Sequence, residues 1–330
     1  MNLRDLKSNP KYNVLFENPY LNDRIHYLTL GGSLAYGTST PQSDVDIRGF
    51  FLETQESILG LLPAKEEFVY TETDTVLYSF KRFIKLLSDC NPNTIELIGT
   101  RDSEIIYQSD LAKEIRENYH LFLSKKAFKT FIGYANQQLR RLENALARDT
   151  YDQADKERHI GKSIETQFLA GGMPDGISKE SFTFETRDSD SEDFEKELYV
   201  SVHLDNVPLR DFLNTQSVMQ NTIRNFGKLN KRNHKKDEIH LNKHAMHLIR
   251  LHIMGAEILE KEIINTYREK EHDFLMSVRN GEVPYEDIFR MAQENEEKLK
   301  KACENSKLPD KPRMEEINDF VIRMLKKYLF

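Results

Sequence analysis

Asp44 and Asp46 stand one residue apart in SDVDIRGF, ten residues after the turn Gly31-Gly32-Ser33. In a strand, residues i and i+2 share a face, so this spacing presents two carboxylates to one place. Carboxylates that close repel unless a cation lies between them, and their hard oxygens select Mg²⁺ or Mn²⁺. Val45 and Ile47 give the run an apolar opposite face, as in a half-buried strand, where unpaired acids are rarely tolerated. Glycines at 31 and 32 let the backbone approach a ligand, and successive N–H groups at a helix start form an anion nest to which Ser33 adds a hydroxyl. Either motif alone also serves as an ordinary turn. A phosphate cradle followed by a metal-binding acid pair is the machinery of phosphoryl or nucleotidyl transfer.

A two-ion site takes a third carboxylate. EFVYTETDTVLY reads as one strand, which places Glu72 and Asp74 on one face. Asp74 is the expected third metal ligand and Glu72 the fallback, although Asp74 also sits where it would cap the next helix. Further along, residues 224–250 carry eight Lys or Arg against two acids in a chain of net charge -7. Such a stretch follows a nucleic-acid backbone or forms a solvated loop between helices. In the helix after it, Lys243, His247, Arg250 and Glu257 fall on one stripe of an otherwise apolar helix. A polar stripe there lines a cavity or pairs internally. Lys243 and Arg250 are the expected contacts to triphosphate or acceptor, His247 is a weaker candidate base, and Lys81 and Arg82 are similar cationic candidates.

These residues need elements to hold them. RIHYLTLGG and VDIRGFFLE are strand-like runs, and Phe80, Phe83, Ile84 and Leu87 recur at helical spacing up to Asn91-Pro92. From about residue 108 the periodicity is mostly helical, in 127–146, 244–263, 286–302 and 315–329. Residues 171–206 form an acidic insertion in which SFTFET and LYVSVHL alternate like a β-hairpin, with a loop at DSDSED. The expected fold is α/β (α+β): a minimal nucleotide-binding domain with a small mixed sheet over 1–115, then a helical domain over 116–330. The cleft between those two domains is the expected acceptor site. The length of 330 residues suits two ordinary domains. No apolar run is long enough to span a membrane and no signal peptide is read. Cys90 and Cys303, far apart, fit free thiols in a cytoplasmic protein.

Leu30-Gly31-Gly32-Ser33, ten residues, then Asp44-Val45-Asp46-Ile47 resembles the signature of the DNA polymerase β-type nucleotidyltransferase superfamily. With TDTVLYSFKRFIKLLSDCNPNTIELI, FIGYANQQLRRL and KHAMHLIRLHIMGAEIL, the chain is similar to a bacterial and phage-encoded group of predicted nucleotidyltransferases. The resemblance implies that Gly32 and Ser33 hold nucleotide phosphates, that Asp44 and Asp46 bind two Mg²⁺ (or Mn²⁺) ions, and that Asp74 completes the metal site. The expected reaction moves NMP from an NTP to a hydroxyl with release of pyrophosphate. RNA, a tRNA end among the choices, is the favoured acceptor because of the basic stretch; nothing argues for DNA or a membrane. Nucleotidylation of a protein or small molecule is the alternative, and a non-catalytic nucleotide-binding module is a third.

Overall fold

The computed structural model describes residues 2–61, 63–150, 153–171, 177–190, 196–231 and 238–329. Along the chain run α1 (Leu3–Ser8), α2 (Asn13–Glu17), β1 (Ile25–Leu30), α3 (Gly32–Tyr36), β2 (Ile47–Phe51), α4 (Gln55–Leu59), β3 (Glu67–Tyr70), β4 (Thr75–Ser79), α5 (Phe80–Ser88), α6 (Pro92–Ile98), β5 (Ile105–Gln108) and α7 (Asp110–Glu117). Then come α8 (Lys126–Thr150), α9 (Gln153–Gly171), β6 (Phe182–Asp188), β7 (Lys196–Val202), α10 (Leu209–Lys231), α11 (Glu238–Lys261), α12 (His272–Arg279), α13 (Tyr285–Asn305) and α14 (Met314–Tyr328). The fold is mixed α/β with a predominantly helical remainder, as expected. Two compact units divide it: residues 1–136 with 245–330, and residues 137–244. No helix among the described residues is long and apolar enough to cross a membrane.

The first unit is built on a five-stranded mixed sheet in the order β3-β4-β2-β1-β5. Period-2 alternation sends the strands' side chains to the two faces of the sheet in turn. On one side Leu28, Ile47, Phe51 and Leu77 pack with Leu6, Tyr12 and Leu15 of the N-terminal helical segment. Tyr27 and Phe50 face the other way, where Phe50 stacks on Phe83 of α5 at 4.8 Å between ring centroids. The buried carboxylate of Glu53 accepts from the N–H groups of Phe80 and Lys81 at 3.1 Å each, which satisfies the first turn of α5.

Two expectations are corrected here. EFVYTETDTVLY is a hairpin of two antiparallel strands, β3 and β4, with Tyr70 opposite Thr75. A turn of 3₁₀ helix over Thr71–Thr73 joins them, and Asp74 takes a left-handed backbone at φ 46°. Aspartate tolerates that conformation because its short side chain bonds locally, so Glu72 and Asp74 do not share a strand face. Similarly, β2 begins at Ile47, so Asp44 and Asp46 lie just before the strand and not within it.

In the second unit β6 and β7 pair antiparallel in the register Phe182 with Val202 through Asp188 with Lys196, the hairpin expected in the acidic insertion. A small core of Ile160, Ile164, Phe168, Ile177 and Phe182 lies beneath it. The insertion's residues 172–176 and 191–195, the latter including part of its DSDSED loop, lie outside the described residues, as do residues 232–237 of the basic stretch.

Candidate active site

Sheet topology brings the site together. β2 and β4 run parallel with Ile47 beside Thr75, so the residues preceding each strand, Asp46 and Asp74, emerge side by side. The Ile47 N–H donates to the Asp74 carbonyl at 3.2 Å. β1 is antiparallel to β2 with Leu30 opposite Ile47, so Gly31 and Gly32, which follow Leu30, arrive at the same end of the sheet. The Gly31 N–H donates to the Asp46 carbonyl at 2.8 Å. The cradle and both acids therefore converge although up to 43 residues separate them in sequence.

Only glycine fits at position 32. Its φ is +55°, and a Cβ there would lie 2.0 Å from Asp46 Oδ2. A Cβ on Gly31 would meet Cγ of Arg48 at 2.8 Å. Here the glycines are required by close approach to the acid site as well as by the turn. Ser33 is buried on α3 beside them.

Arg48 is the residue the sequence reading missed. One of its guanidinium nitrogens, Nη2, stands 2.8 Å from Asp46 Oδ1 and 3.3 Å from Asp74 Oδ1. The other, Nη1, donates to the carbonyls of Ile47 and Asp74. The signal was available, since 46 and 48 share a face by the same period-2 rule that paired 44 with 46. Asp74 is half exposed, Asp46 largely covered, and Asp44 exposed.

Among the described residues no group of three or more His, Cys, Asp or Glu is arranged to hold a metal ion. The acids that come together are a pair, Asp46 and Asp74. Two of their carboxylate oxygens converge on one cationic nitrogen of Arg48, and hard oxygen donors of this kind suit a divalent cation. Asp44 is adjacent in the chain, and Glu72 is exposed in the turn before Asp74.

Beside Gly31, Gly32 and Arg48 opens a cavity of about 230 Å³, bounded also by Tyr36, Val76, Tyr78, Asn93 and Glu96. That is below the roughly 300–1,000 Å³ of pockets that enclose a whole drug-sized ligand. Its wall contains a buried polar cluster. Arg250 Nη1 bonds Glu96 Oε1 at 2.7 Å, Tyr36 donates to Glu96 Oε2 at 2.6 Å, and the guanidinium lies 3.6 Å from the Tyr36 ring centroid. Burial and then the Glu96 charge push the Tyr36 phenol well above its ordinary pKa. Burial opposes the charge on Arg250, but Glu96 outweighs it and holds the guanidinium above its usual value.

The structure thus puts Arg250, 3% exposed, in an internal ion pair. His247 packs edge-on against Tyr36, and Glu257 pairs with Arg268 at 2.7 Å. Lys243 is exposed and falls in the second unit. Lys81 donates to the Ile58 carbonyl and Arg82 faces Glu66 at 3.8 Å. The spacer between cradle and acids is held by residues far along the chain. Arg279 donates to the Thr38 carbonyl at 2.5 Å and to Ser43 Oγ at 3.2 Å, and the Arg268 N–H donates to the Tyr36 carbonyl.

Residues 7–154 match the sequence model of RlaP, described as the RNA repair pathway DNA polymerase beta family. A protein of Enterobacteria phage T4, described as an uncharacterized 38.9 kDa protein in the nrdC-mobD intergenic region, is 33% identical over 121 residues. That similarity covers 32% of this chain and 35% of the phage protein, so the match spans about a third of that relative's length. No solved structure matches the chain.

Proposed function

We propose that this chain, whose residues 7–154 match the model of the RNA repair pathway DNA polymerase beta family, transfers a nucleoside monophosphate from an NTP to a hydroxyl of RNA. The observation that carries the proposal is the fit of Gly32 against Asp46, with Asp74 beside it across two parallel strands. A phosphate-binding backbone and a pair of acids in contact are what an NTP with its cation requires.

Gly32 and Ser33 bind the phosphates through backbone N–H groups at the start of α3, which have no partner within the helix, while the Gly31 N–H holds the turn on the Asp46 carbonyl. Asp46 and Asp74, with Asp44 next in the chain, would hold Mg²⁺ or Mn²⁺. Such an ion neutralises the charge on the triphosphate and makes the acceptor hydroxyl more acidic. The acceptor hydroxyl gives its proton to a carboxylate of the site, its oxygen bonds to the α-phosphorus, the bond from that phosphorus to the bridging oxygen breaks, and pyrophosphate leaves. The cavity bounded by Tyr36, Tyr78 and Asn93 receives the nucleoside end. RNA is favoured as acceptor by the basic composition of 224–250 and by the RNA repair pathway named in the family's description. Lys243 is placed with that acceptor and Arg250 with the support of the cavity wall.

The test supplies each α-labelled NTP with Mg²⁺ or Mn²⁺, total cell RNA and lysate protein, with Asp46→Ala alongside. Label in RNase-sensitive material, lost in the variant, supports the proposal. Label on a protein makes a protein side chain the acceptor, and no transfer under any combination refutes RNA as acceptor and leaves a small-molecule acceptor or a non-catalytic nucleotide-binding module.

A further inference from the structure

Arg48 occupies the place that a divalent ion would need. Its fork is fully engaged, with Nη2 on the carboxylates of Asp46 and Asp74 at 2.8 and 3.3 Å and Nη1 on the carbonyls of Ile47 and Asp74. A guanidinium and a divalent ion cannot share two carboxylate oxygens, because the two cations repel. Loading the ion therefore means moving Arg48.

The structure also points to where the guanidinium goes. Its stem lies on Gly31, with Cγ 2.8 Å from where a Cβ would stand on that glycine, and both residues line the cavity beside the cradle. Rotation about the outer side-chain bonds would bring the head from the carboxylates toward an anion held by Gly32 and Ser33. Arginine's planar fork suits phosphate oxygens as well as carboxylates.

We infer that Arg48 is an exchangeable counter-ion: it neutralises Asp46 and Asp74 in the free protein and passes to the triphosphate when nucleotide and divalent ion enter together. This rests on the reading of Gly32, Asp46 and Asp74 as the nucleotide site. Its consequence is ordered loading, in which the free protein binds the ion weakly and the nucleotide makes the site available. An arginine that only props the strand ends has a different signature, since its loss lowers affinity for ion and nucleotide alike.

The experiment measures free Mn²⁺ by electron paramagnetic resonance on the whole chain, with and without an α,β-methylene NTP, subtracting the Mn²⁺ that the analogue binds alone. Arg48→Met keeps the stem and removes the fork. Arg48→Lys keeps the charge on a shorter side chain without the planar fork, and serves if the first variant does not fold. In Arg48→Met, Mn²⁺ affinity without nucleotide should rise about five- to tenfold, the scale of a partly exposed ion pair. Affinity for the analogue should fall by about the same factor, and Arg48→Lys should shift both in the same directions by less. Unchanged or weaker nucleotide-free Mn²⁺ binding in both variants overturns the inference and leaves the nucleotide site standing. Wild-type protein that binds no Mn²⁺ beyond the analogue's own overturns the functional reading itself.

Discussion

Removing the charge of Glu96 should destabilise the first unit by an amount that the geometry sets. Arg250 is 3% exposed and its partner's side chain 9%, with 2.7 Å between Nη1 and Oε1. Breaking a pair this buried leaves a charge without compensation, which costs about 3–5 kcal/mol. Glu96→Gln is the smallest perturbation, because the amide oxygen still accepts from Tyr36 or from Arg250; the expected loss is therefore at the lower end, about 3 kcal/mol. For a unit made of residues 1–136 and 245–330, each kcal/mol moves the midpoint by about 2–4 °C, so Tm should fall by roughly 6–12 °C. The chain has no tryptophan, so the unfolding is followed by circular dichroism. Glu96→Gln/Arg250→Met removes both charges and should recover at least half of the loss. A single-variant loss under about 1 kcal/mol, or a double variant whose losses simply add, would refute the assignment of this pair as a coupled buried charge. Tyr36 ends α3 and shares the cluster, so nucleotide affinity should drop in Glu96→Gln and return in part in the double variant.

Gly32→Ala places a Cβ 2.0 Å from Asp46 Oδ2 at φ +55°; it should lower transfer at least about a hundredfold, as misplacement of reacting groups by about 1 Å does, read as initial rate at saturating NTP. His252 is buried, neither ring nitrogen has a hydrogen-bond partner among the described residues, and burial pushes its pKa down to about 4. The unfolded chain then takes up a proton between about pH 6.5 and 4 that the native chain does not, so stability falls with pH through that window, by about 2 kcal/mol at pH 5. His252→Leu should remove this term, making the variant the more stable protein at pH 5 in urea unfolding, and an unchanged pH dependence counts against it. Arg279→Met frees the Thr38 carbonyl and Ser43 Oγ; it should cost about 1–2 kcal/mol in stability and raise KM for the NTP more than it lowers kcat.

The chemistry was legible where spacing is local. Gly31-Gly32-Ser33 and Asp44-Val45-Asp46 could be paired from the sequence because only α3 and a short loop separate them, and the sheet indeed sets Gly32 against Asp46. The hairpin at Asp74 was not legible: TETD alternates polar and β-branched residues like a strand, and only aspartate's tolerance of a left-handed backbone hints at the turn. Arg48 was legible by the period-2 rule but was passed over in favour of the acids. The short helices α1 and α2, which close one face of the sheet, carry too few turns to show a period. The partner of Arg250 was beyond sequence reading. The polar stripe on α11 announced a pair or a cavity, but Glu96 lies 154 residues away on α6, and no local pattern specifies a contact at that separation.

The central claim is that the cradle and the acids preceding β2 and β4 form one catalytic centre. It is tested most directly by pyrophosphate release from NTP in the presence of divalent ion and cell RNA, comparing wild type with Asp46→Asn at equal folded concentration. The account predicts loss of about a hundred- to a thousandfold, the scale of removing a preorganised electrostatic contact to the transition state, with the unfolding midpoint little changed. Release by Asp46→Asn at the wild-type rate would contradict it.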